Sequence, residues 1–365
     1  MPLFDLPLAD LEAYSPTIDE PADLDAFWTT TLAESREAGG ELAETVRLER
    51  VDAGLPLVVV DDMTFPGFGG HAIKAWLVRP ADAARAAVTG DGPPLPAVVE
   101  FIGYGGGRGL AHEHLTWANA GYAHLVVDTR GQGSRWGAGG GTPDPVGSGP
   151  AVPGFLTRGL ADPHDHYYRR VFTDGVRAVD AIRSLPGIDP ARVAVAGISQ
   201  GGGIAVAVAG LADGLAAATP DVPFLSHYRR AVEITDRDPY GEITRYLAVH
   251  RGAEEEVFRT LSYVDVALLA RRATAPALFS VGLMDLTCPP STVYAAYNGW
   301  GAASAAPHGA GDTGGVTGGG TSGTVDRAID VYRFNDHEGG QGYRFAPQLA
   351  WLRTHLPHEN PHPAG

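Results

Sequence analysis

Strand-like and helix-like segments alternate along most of the chain. Three strand patterns separated by turn residues come first, at residues 46–51, 58–65 and 72–79. Further strand patterns follow at residues 97–102, 124–128, 192–196, 216–220, 277–282 and 331–334. Helical patterns lie between them, the first of them around residues 113–120. Such alternation is typical of a mostly parallel central sheet with helices on both faces, and the first three strands predict an antiparallel opening. The fold class is therefore predicted to be α/β.

Two helical segments and one glycine-rich segment accompany the predicted sheet. Residues 1–44 have an amphipathic helical pattern that predicts an N-terminal helical arm. Residues 222–272 lie between two predicted strands, are helical and rich in aromatic side chains, and predict a cap over one edge of the sheet. Residues 301–324 are mostly Gly, Ala, Ser and Thr, which predicts a flexible surface insertion or, alternatively, a lid or partner-contact segment. Residues 45–365 are thus expected to form one domain that carries both insertions.

Composition and charge limit the classes of function. The net charge is −16 and the pI about 5.1, which argues against nucleic acid or an anionic membrane as a partner. Cys288 is the only cysteine, so the chain can form neither an internal disulfide nor a thiolate metal cluster. The first residues lack a signal-peptide pattern, and no apolar run approaches the roughly 18 residues of a membrane span. A cytoplasmic protein is therefore expected.

The segment Gly197-Ile198-Ser199-Gln200-Gly201 has the pattern of a serine nucleophile. It follows a predicted strand and precedes a predicted helix. Such a turn holds the serine in a strained backbone conformation with its hydroxyl exposed, and the flanking glycines avoid a collision across the turn. The pattern also arises by chance in a chain with 49 glycines, and the alternative is a serine that only caps the helix. The strand–turn–helix context favours the nucleophile.

A serine hydroxyl needs a histidine base, which in turn needs an orienting carboxylate. On α/β-hydrolase folds these partners follow the serine in the order acid, histidine, from loops after later strands. Asp285 follows the strand predicted at 277–282, and His337 follows the strand predicted at 331–334. The rival acids are Asp221 and Asp336. The rival histidines are His227, His250, His308, His355, His358 and His362.

Two further segments are candidates for supporting roles. The glycine-rich turn at Gly103-Tyr104-Gly105 would supply the Tyr104 N–H to an oxyanion hole, and the Gln200 N–H would supply the second donor. A phosphate-binding loop is the weaker interpretation of the same turn, because no Lys-Ser/Thr pair follows it. Arg130 and Gln132 at the end of a buried strand predict a polar brace beneath the site, with direct substrate contact as the alternative.

Three motifs together resemble the signature of carbohydrate esterase family 7, the acetyl xylan esterases and cephalosporin C deacetylases. They are Arg130-Gly131-Gln132, Gly197-x-Ser199-Gln200-Gly201-Gly202 and His337-Glu338. Further blocks extend the resemblance over nearly the whole chain, at residues 154–159, 167–172, 261–265, 282–285 and 289–298. The chain departs from the family at Ile102, where the family usually has histidine, and at residues 301–324, which the family generally lacks.

The resemblance implies an α/β-hydrolase fold and a deacetylase that works through an acetyl-serine intermediate without metal or cofactor. It implies small acetylated sugar or antibiotic esters as substrates, such as acetylated xylo-oligosaccharides and cephalosporin C. It also implies a homo-oligomer, commonly a hexamer with its active sites facing an internal cavity. The assigned site residues are Ser199, Asp285 and His337 as the catalytic triad, the backbone N–H groups of Tyr104 and Gln200 as the oxyanion hole, and Arg130, Gln132 and Glu338 as support.

Three other interpretations stay open at this stage. A general short-to-medium-chain carboxylesterase or a peptidase would share the fold and the triad, and acyl-chain preference would separate these enzymes from a deacetylase. A catalytically silent binding protein of the same fold would usually lack the serine or the histidine. A dinucleotide-dependent oxidoreductase fits the strand alternation but not Ser199 or His337.

Overall fold

The computed structural model describes residues 3–90, 92–147, 152–303 and 325–356. Most of the glycine-rich segment predicted as an insertion, residues 304–324, lies outside the described residues. None of the helices in the described ranges is both long and apolar enough to cross a membrane.

A single nine-stranded sheet runs through the described part of the chain, in the order β1-β2-β3-β5-β4-β6-β7-β8-β9. Strands β1 to β3 are antiparallel, β3 pairs antiparallel with β5, and β4 to β9 are mutually parallel. The strands are β1 (Arg47–Val51), β2 (Val58–Pro66), β3 (Ala72–Pro80), β4 (Leu95–Phe101), β5 (Ala123–Val127), β6 (Ile188–Ile198), β7 (Ala217–Asp221), β8 (Ala277–Gly282) and β9 (Arg327–Tyr332). The predicted antiparallel opening and mostly parallel sheet are therefore confirmed.

Helices connect the strands, form the arm and build the cap. The α-helices are α1 (Leu8–Glu12), α2 (Leu24–Gly39), α3 (Leu42–Thr45), α4 (Ala81–Thr89), α5 (Thr116–Asn119), α6 (Tyr167–Arg183), α7 (Gln200–Leu211), α8 (Tyr228–Ile234), α9 (Gly241–Val249), α10 (Glu254–Ser262), α11 (Val266–Leu269), α12 (Pro290–Gly299) and α13 (Phe345–His355). Short 3-10 helices cover Phe68–Gly70, Ala111–Glu113, Phe155–Thr157, Ala270–Arg272 and Gln341–Arg344.

Alternate residues of the central strands face two different layers of helices. In β4, Val99 and Phe101 belong to the large core cluster that includes α6 and α7. Val98 faces the opposite side, in a cluster with Trp117 of α5 and Leu352 of α13. Because both faces are covered, β5, β7 and β8 are buried along their whole length. The sheet thus carries helices on both faces, as predicted.

Two predictions about individual elements are wrong. The last strand was expected at 331–334, but it runs from Arg327 to Tyr332 and pairs in register with β8. It is an edge strand of intermediate exposure. Its charged residues Arg327 and Asp330 interrupt the apolar pattern from which a strand would be predicted. A helix was expected around residues 113–120, but that region contains only a 3-10 turn and the four-residue α5.

The arm and the cap are anchored to each other. The Trp28 indole N–H of α2 donates to the Tyr263 carbonyl at 2.9 Å. Arg272, at the end of the cap, pairs with Glu20 and Asp25 of the arm at 2.5 Å each. Because the Trp28 ring is buried, this contact fixes the arm on the cap rather than leaving it in solvent.

The order of the strands has a switch point at the carboxyl ends of β4 and β6. Strand β4 lies between β5 and β6. The chain after β4 therefore continues to β5 on one side of β4, whereas β6 and the later strands lie on its other side. Ligands of open α/β sheets bind at such a switch point, beyond the carboxyl ends of the strands. Tyr104 follows β4 and Ser199 follows β6, so both lie at this switch point.

Candidate active site

Ser199 occupies a sharp turn between β6 and α7. Its backbone has φ 58° and ψ −118°, a conformation that L-residues rarely adopt and that functional sites often hold. Gly197 and Gly201 make this turn possible. A Cβ at Gly197 would lie 2.4 Å from the Gly201 backbone, and a Cβ at Gly201 would lie 2.0 Å from the Phe101 carbonyl oxygen. No side chain larger than hydrogen fits at either position, as the sequence predicted.

Three side chains from the ends of three strands form one hydrogen-bonded chain. The Ser199 Oγ lies 2.8 Å from the His337 Nε2, and the His337 Nδ1 lies 2.7 Å from the Asp285 Oδ2. The Asp285 carboxylate is fully buried, and its other oxygen accepts the N–H groups of Thr287 and Cys288 at 2.8 Å each. These amides fix the carboxylate, so that its Oδ2 accepts from Nδ1 and leaves Nε2 free to accept the serine proton.

The rival acids have other partners. Asp221 accepts from Arg344 at 2.8 Å and from Gln348 at 2.9 Å. Asp336 pairs with Arg237 at 3.1 Å. Each carboxylate is therefore already bonded to an arginine.

The rival histidines also lie elsewhere. His227 lies 3.4 Å from the Tyr14 hydroxyl of the arm, His250 stacks on Tyr246, and His355 lies 3.6 Å from Asp326. The remaining candidates, His308, His358 and His362, lie outside the described residues. Of the described candidates, the structure brings together Ser199, Asp285 and His337.

Two backbone N–H groups beside Ser199 are available to a ligand. Gln200 is the first residue of α7, and its amide precedes the helical ladder. Tyr104 lies in the glycine-rich turn after β4. Within the described ranges, neither of these amides is bonded to a protein acceptor. They are the two donors that the sequence predicted for an oxyanion hole.

Comparisons with known proteins place the chain in a family. The acetyl xylan esterase (AXE1) family model matches residues 1–305. The chain belongs to the acetyl xylan esterase family. The resemblance found in its sequence motifs is thereby confirmed, and the protein is a carboxylic ester hydrolase. The matched range contains Ser199 and Asp285, whereas His337 lies beyond it.

Two solved structures and one curated relative are similar to this family member. The acetyl xylan esterase from Paenibacillus sp. R4 is 34% identical with a TM-score of 0.80, covering 96% of this chain and all of that one. Acetyl xylan esterase 1 from Thermoanaerobacterium sp. JW/SL YS485 is 30% identical with a TM-score of 0.79, covering 96% and 99%. Acetyl esterase Axe7A from Xylanibacter ruminicola is 26% identical over 297 residues, 79% of this chain. The match spans only 62% of that relative.

The Arg130-Gly131-Gln132 motif of this family member braces the turn after β4. The Gln132 Oε1 accepts the Gly105 N–H at 2.7 Å, and its Nε2 donates to the Gln200 side chain at 2.8 Å. Arg130 is fully buried and forms a bidentate pair with Asp174 at 2.5 and 2.7 Å. The motif therefore connects the two turns that carry the candidate oxyanion donors, as the polar-brace interpretation predicted.

Glu338 supports the histidine loop rather than the histidine itself. Its carboxylate accepts from the Asn335 amide at 2.7 Å, and its carbonyl accepts the Gln341 N–H at 2.9 Å. Both contacts lie within the loop that carries His337 from β9 to the last 3-10 helix. Glu338 thus shapes this loop from within.

Sequence reasoning missed two residues that hold the candidate oxyanion turn. The Trp136 indole N–H donates to the Tyr104 carbonyl at 2.8 Å, and its ring packs against Gly103 and Gly106. Glu242 of the cap accepts from the Tyr104 hydroxyl at 2.5 Å. Trp136 follows the Arg130-Gly131-Gln132 motif closely and could have been found on that ground. Glu242 has no sequence signal, because it belongs to a distant helix.

Cys288 lies beside the candidate triad. Potential ligand atoms of Asp285, Cys288 and His337 lie within 4.8 Å of one another. The carboxylate and the imidazole are already bonded to each other, and burial raises the pKa of the Cys288 thiol well above its usual range. A neutral thiol is a poor metal ligand, so this cluster is accounted for by the hydrogen-bonded chain of Ser199, His337 and Asp285 with Cys288 as its neighbour.

Proposed function

We propose that this protein is a serine esterase that removes acetyl groups from small acetylated substrates. The observation that carries the proposal is the hydrogen-bonded chain from Ser199 through His337 to Asp285. The N–H groups of Tyr104 and Gln200, in the turns after β4 and β6, have no acceptor in the described part of the protein. A nucleophile, a base, an orienting acid and an anion site within reach of one another are the parts that acyl transfer needs.

The proposed reaction has two acyl-transfer steps. His337 takes the Ser199 proton as the oxygen attacks the acetyl carbonyl carbon, and the negative oxygen binds to the N–H groups of Tyr104 and Gln200. The alcohol then leaves with the proton from His337, and an acetyl-serine remains. Water attacks this ester in the same way, acetate leaves, and the Ser199 hydroxyl is restored. Asp285 holds the imidazole and stabilises its protonated form without itself taking the proton.

Acetylated xylo-oligosaccharides and cephalosporin C-like esters are the proposed substrates. Membership of the acetyl xylan esterase family and the names of the two similar solved structures support an acetyl ester of a sugar. We propose as well that the reaction needs no metal or cofactor and that the protein forms a homo-oligomer in the cytoplasm. Activity unchanged after dialysis against a chelator would support the first of these, and light scattering would test the second.

Initial rates on p-nitrophenyl acetate, butyrate and octanoate test the acyl specificity. A small acyl pocket predicts a strong preference for acetate, followed by acetate release from acetylated xylobiose. Rates on butyrate and octanoate that equal or exceed the acetate rate would contradict a deacetylase and support a general carboxylesterase. Mass spectrometry of enzyme quenched with acid during turnover should find one acetyl group on the peptide that contains Ser199.

A further inference from the structure

A buried carboxylate of the cap is bonded to the side chain of the candidate oxyanion residue. The Oε1 of Glu242, in α9, accepts the Tyr104 O–H at 2.5 Å and the Gly154 N–H at 2.9 Å. Its Oε2 accepts the Leu156 N–H at 3.1 Å. The Tyr104 hydroxyl in turn accepts the N–H groups of Gly154 and Phe155 at 3.1 and 3.0 Å. Three segments of the chain therefore meet at one carboxylate.

Each group that faces Glu242 in these contacts is a donor. An ionised carboxylate satisfies all of them, whereas a neutral acid or an amide must turn one N–H or O–H toward a donor. Burial beside Glu242 raises the pKa of the Tyr104 hydroxyl, which keeps this group protonated and donating. Asp238 and Arg245 are further charged groups near Glu242, and they form an ion pair with each other at 2.6 Å.

The turn that Tyr104 belongs to has little rigidity of its own. In Gly103-Tyr104-Gly105-Gly106-Gly107 only Tyr104 has a side chain. Glycine leaves the backbone free to adopt many conformations, so the turn must be fixed from outside. Gln132 and Trp136 both fix the single peptide group between Tyr104 and Gly105, one at its N–H and the other at its carbonyl. The Tyr104 side chain is held separately. Its ring packs edge-on against Phe155 and Phe224, and Glu242 is the acceptor that fixes its hydroxyl.

We infer that Glu242 is a positioning residue for the oxyanion hole, acting through the Tyr104 hydroxyl, and that the cap is therefore part of the catalytic apparatus. This inference rests on the proposed function. When the Glu242 contact is lost, Tyr104 and its N–H move relative to Ser199, and the bound oxyanion loses stabilisation while ground-state binding of the ester changes little.

The test is a double-mutant cycle with Glu242→Gln and Tyr104→Phe. Removing an oxyanion donor outright costs about 10²- to 10³-fold in kcat, so displacing one should cost about 10- to 100-fold. We expect each single variant to lower kcat on p-nitrophenyl acetate by that factor with little change in KM. The kcat of the double variant should be no lower than that of the slower single variant, because both changes act on the same contact. Binding of a trifluoromethyl ketone, which forms an oxyanion on Ser199, should weaken in proportion to kcat/KM.

Asp265→Asn is the matched control. Asp265 is also a buried cap carboxylate that accepts three backbone N–H groups, those of His227, Tyr228 and Ala267, but it does not contact the turn at Tyr104. Its amide variant should change the melting temperature and leave kcat unchanged in the folded enzyme. Tyr104→Phe, which removes a single oxygen, keeps the cycle interpretable should Glu242→Gln fold poorly.

Three results would overturn the inference. They are an unchanged kcat in both single variants, additive losses in the double variant, and an equal loss of kcat in Asp265→Asn. Failure of the proposed function would look different, because the wild-type enzyme would then not release acetate or Ser199→Ala would keep full activity.

Discussion

The nucleophile side of the active site and its oxyanion side are held in place by different means. Ser199, Asp285 and His337 sit on turns that directly follow β6, β8 and β9. Tyr104 also follows a strand, but its turn is held by side chains from the loop after β5 and from the cap. The triad is thus positioned by the ends of the sheet, whereas the oxyanion turn is positioned by contacts between distant segments.

This difference decides how each side should respond to mutation. In the proposed mechanism each triad residue takes part directly in the acyl or proton transfer, so its loss removes a step of the reaction. The residues around Tyr104 act only on geometry, so their loss should leave a slower enzyme with the same pH dependence and the same products. Four substitutions separate these two expectations.

Ser199→Ala should have the largest effect. It removes the oxygen that is proposed to form the acyl-enzyme and should lower kcat by at least about 10⁴-fold. The fold should be unaffected, because the hydroxyl serves no helix cap and, in the described part of the chain, contacts the side chains of His337 and Cys288 within the site itself. The measurement is acetate release together with a melting curve. Full activity in the variant would mean that another residue is the nucleophile.

Asp285→Asn should come next, with Asp336→Asn as its control. An amide at 285 can donate where the carboxylate accepts, which stabilises the wrong imidazole tautomer and should cost about 10⁴-fold in kcat. Asp336 lies next to His337 in sequence but is bonded to Arg237, so its amide variant should lose less than about 10-fold, as expected of a partly exposed ion pair outside the reaction. Equal losses of kcat in the two variants would contradict the assignment of Asp285 as the acid.

The same difference explains what could be predicted from the sequence. Ser199 was found from a local pattern, and Asp285 and His337 from their place after strands, because parallel strands end at one edge of the sheet. The position of β9 was missed by four residues at its start, since Arg327 and Asp330 interrupt its apolar pattern. Glu242 could not be found, because only folding brings α9 to the turn at Tyr104. Contacts of this kind depend on side-chain geometry between elements, which periodicity does not encode.

Gln132→Met should have an intermediate effect and would test the oxyanion side directly. Methionine keeps the shape but removes the acceptor for the Gly105 N–H and the donor to Gln200, which leaves buried polar groups unpaired at a cost of about 1–3 kcal/mol in stability. The turn should also move, which we expect to lower kcat about 10-fold, below the loss of a whole oxyanion donor. The check is kcat and KM together with the unfolding free energy. A rise in KM alone would instead favour direct substrate contact by Gln132.

Gly106→Ala should have the smallest effect, and it would show whether Trp136 fixes the turn. A Cβ at Gly106 would lie 2.3 Å from the Trp136 Cζ2, so the half-exposed indole must move and its N–H bond to the Tyr104 carbonyl must weaken. We expect a several-fold loss of kcat, because one neutral hydrogen bond is worth only about 1 kcal/mol.

Gly141→Ala is the control in a neighbouring loop, since its Cβ would meet only the end of Arg108 at 3.6 Å. The double variant Gly106→Ala/Trp136→Ala should be no slower than Trp136→Ala alone, because the alanine acts only by displacing the indole. Additive losses would show that Gly106 is needed for the backbone itself, and the oxyanion turn would then resemble the nucleophile turn more than the contacts around it suggest.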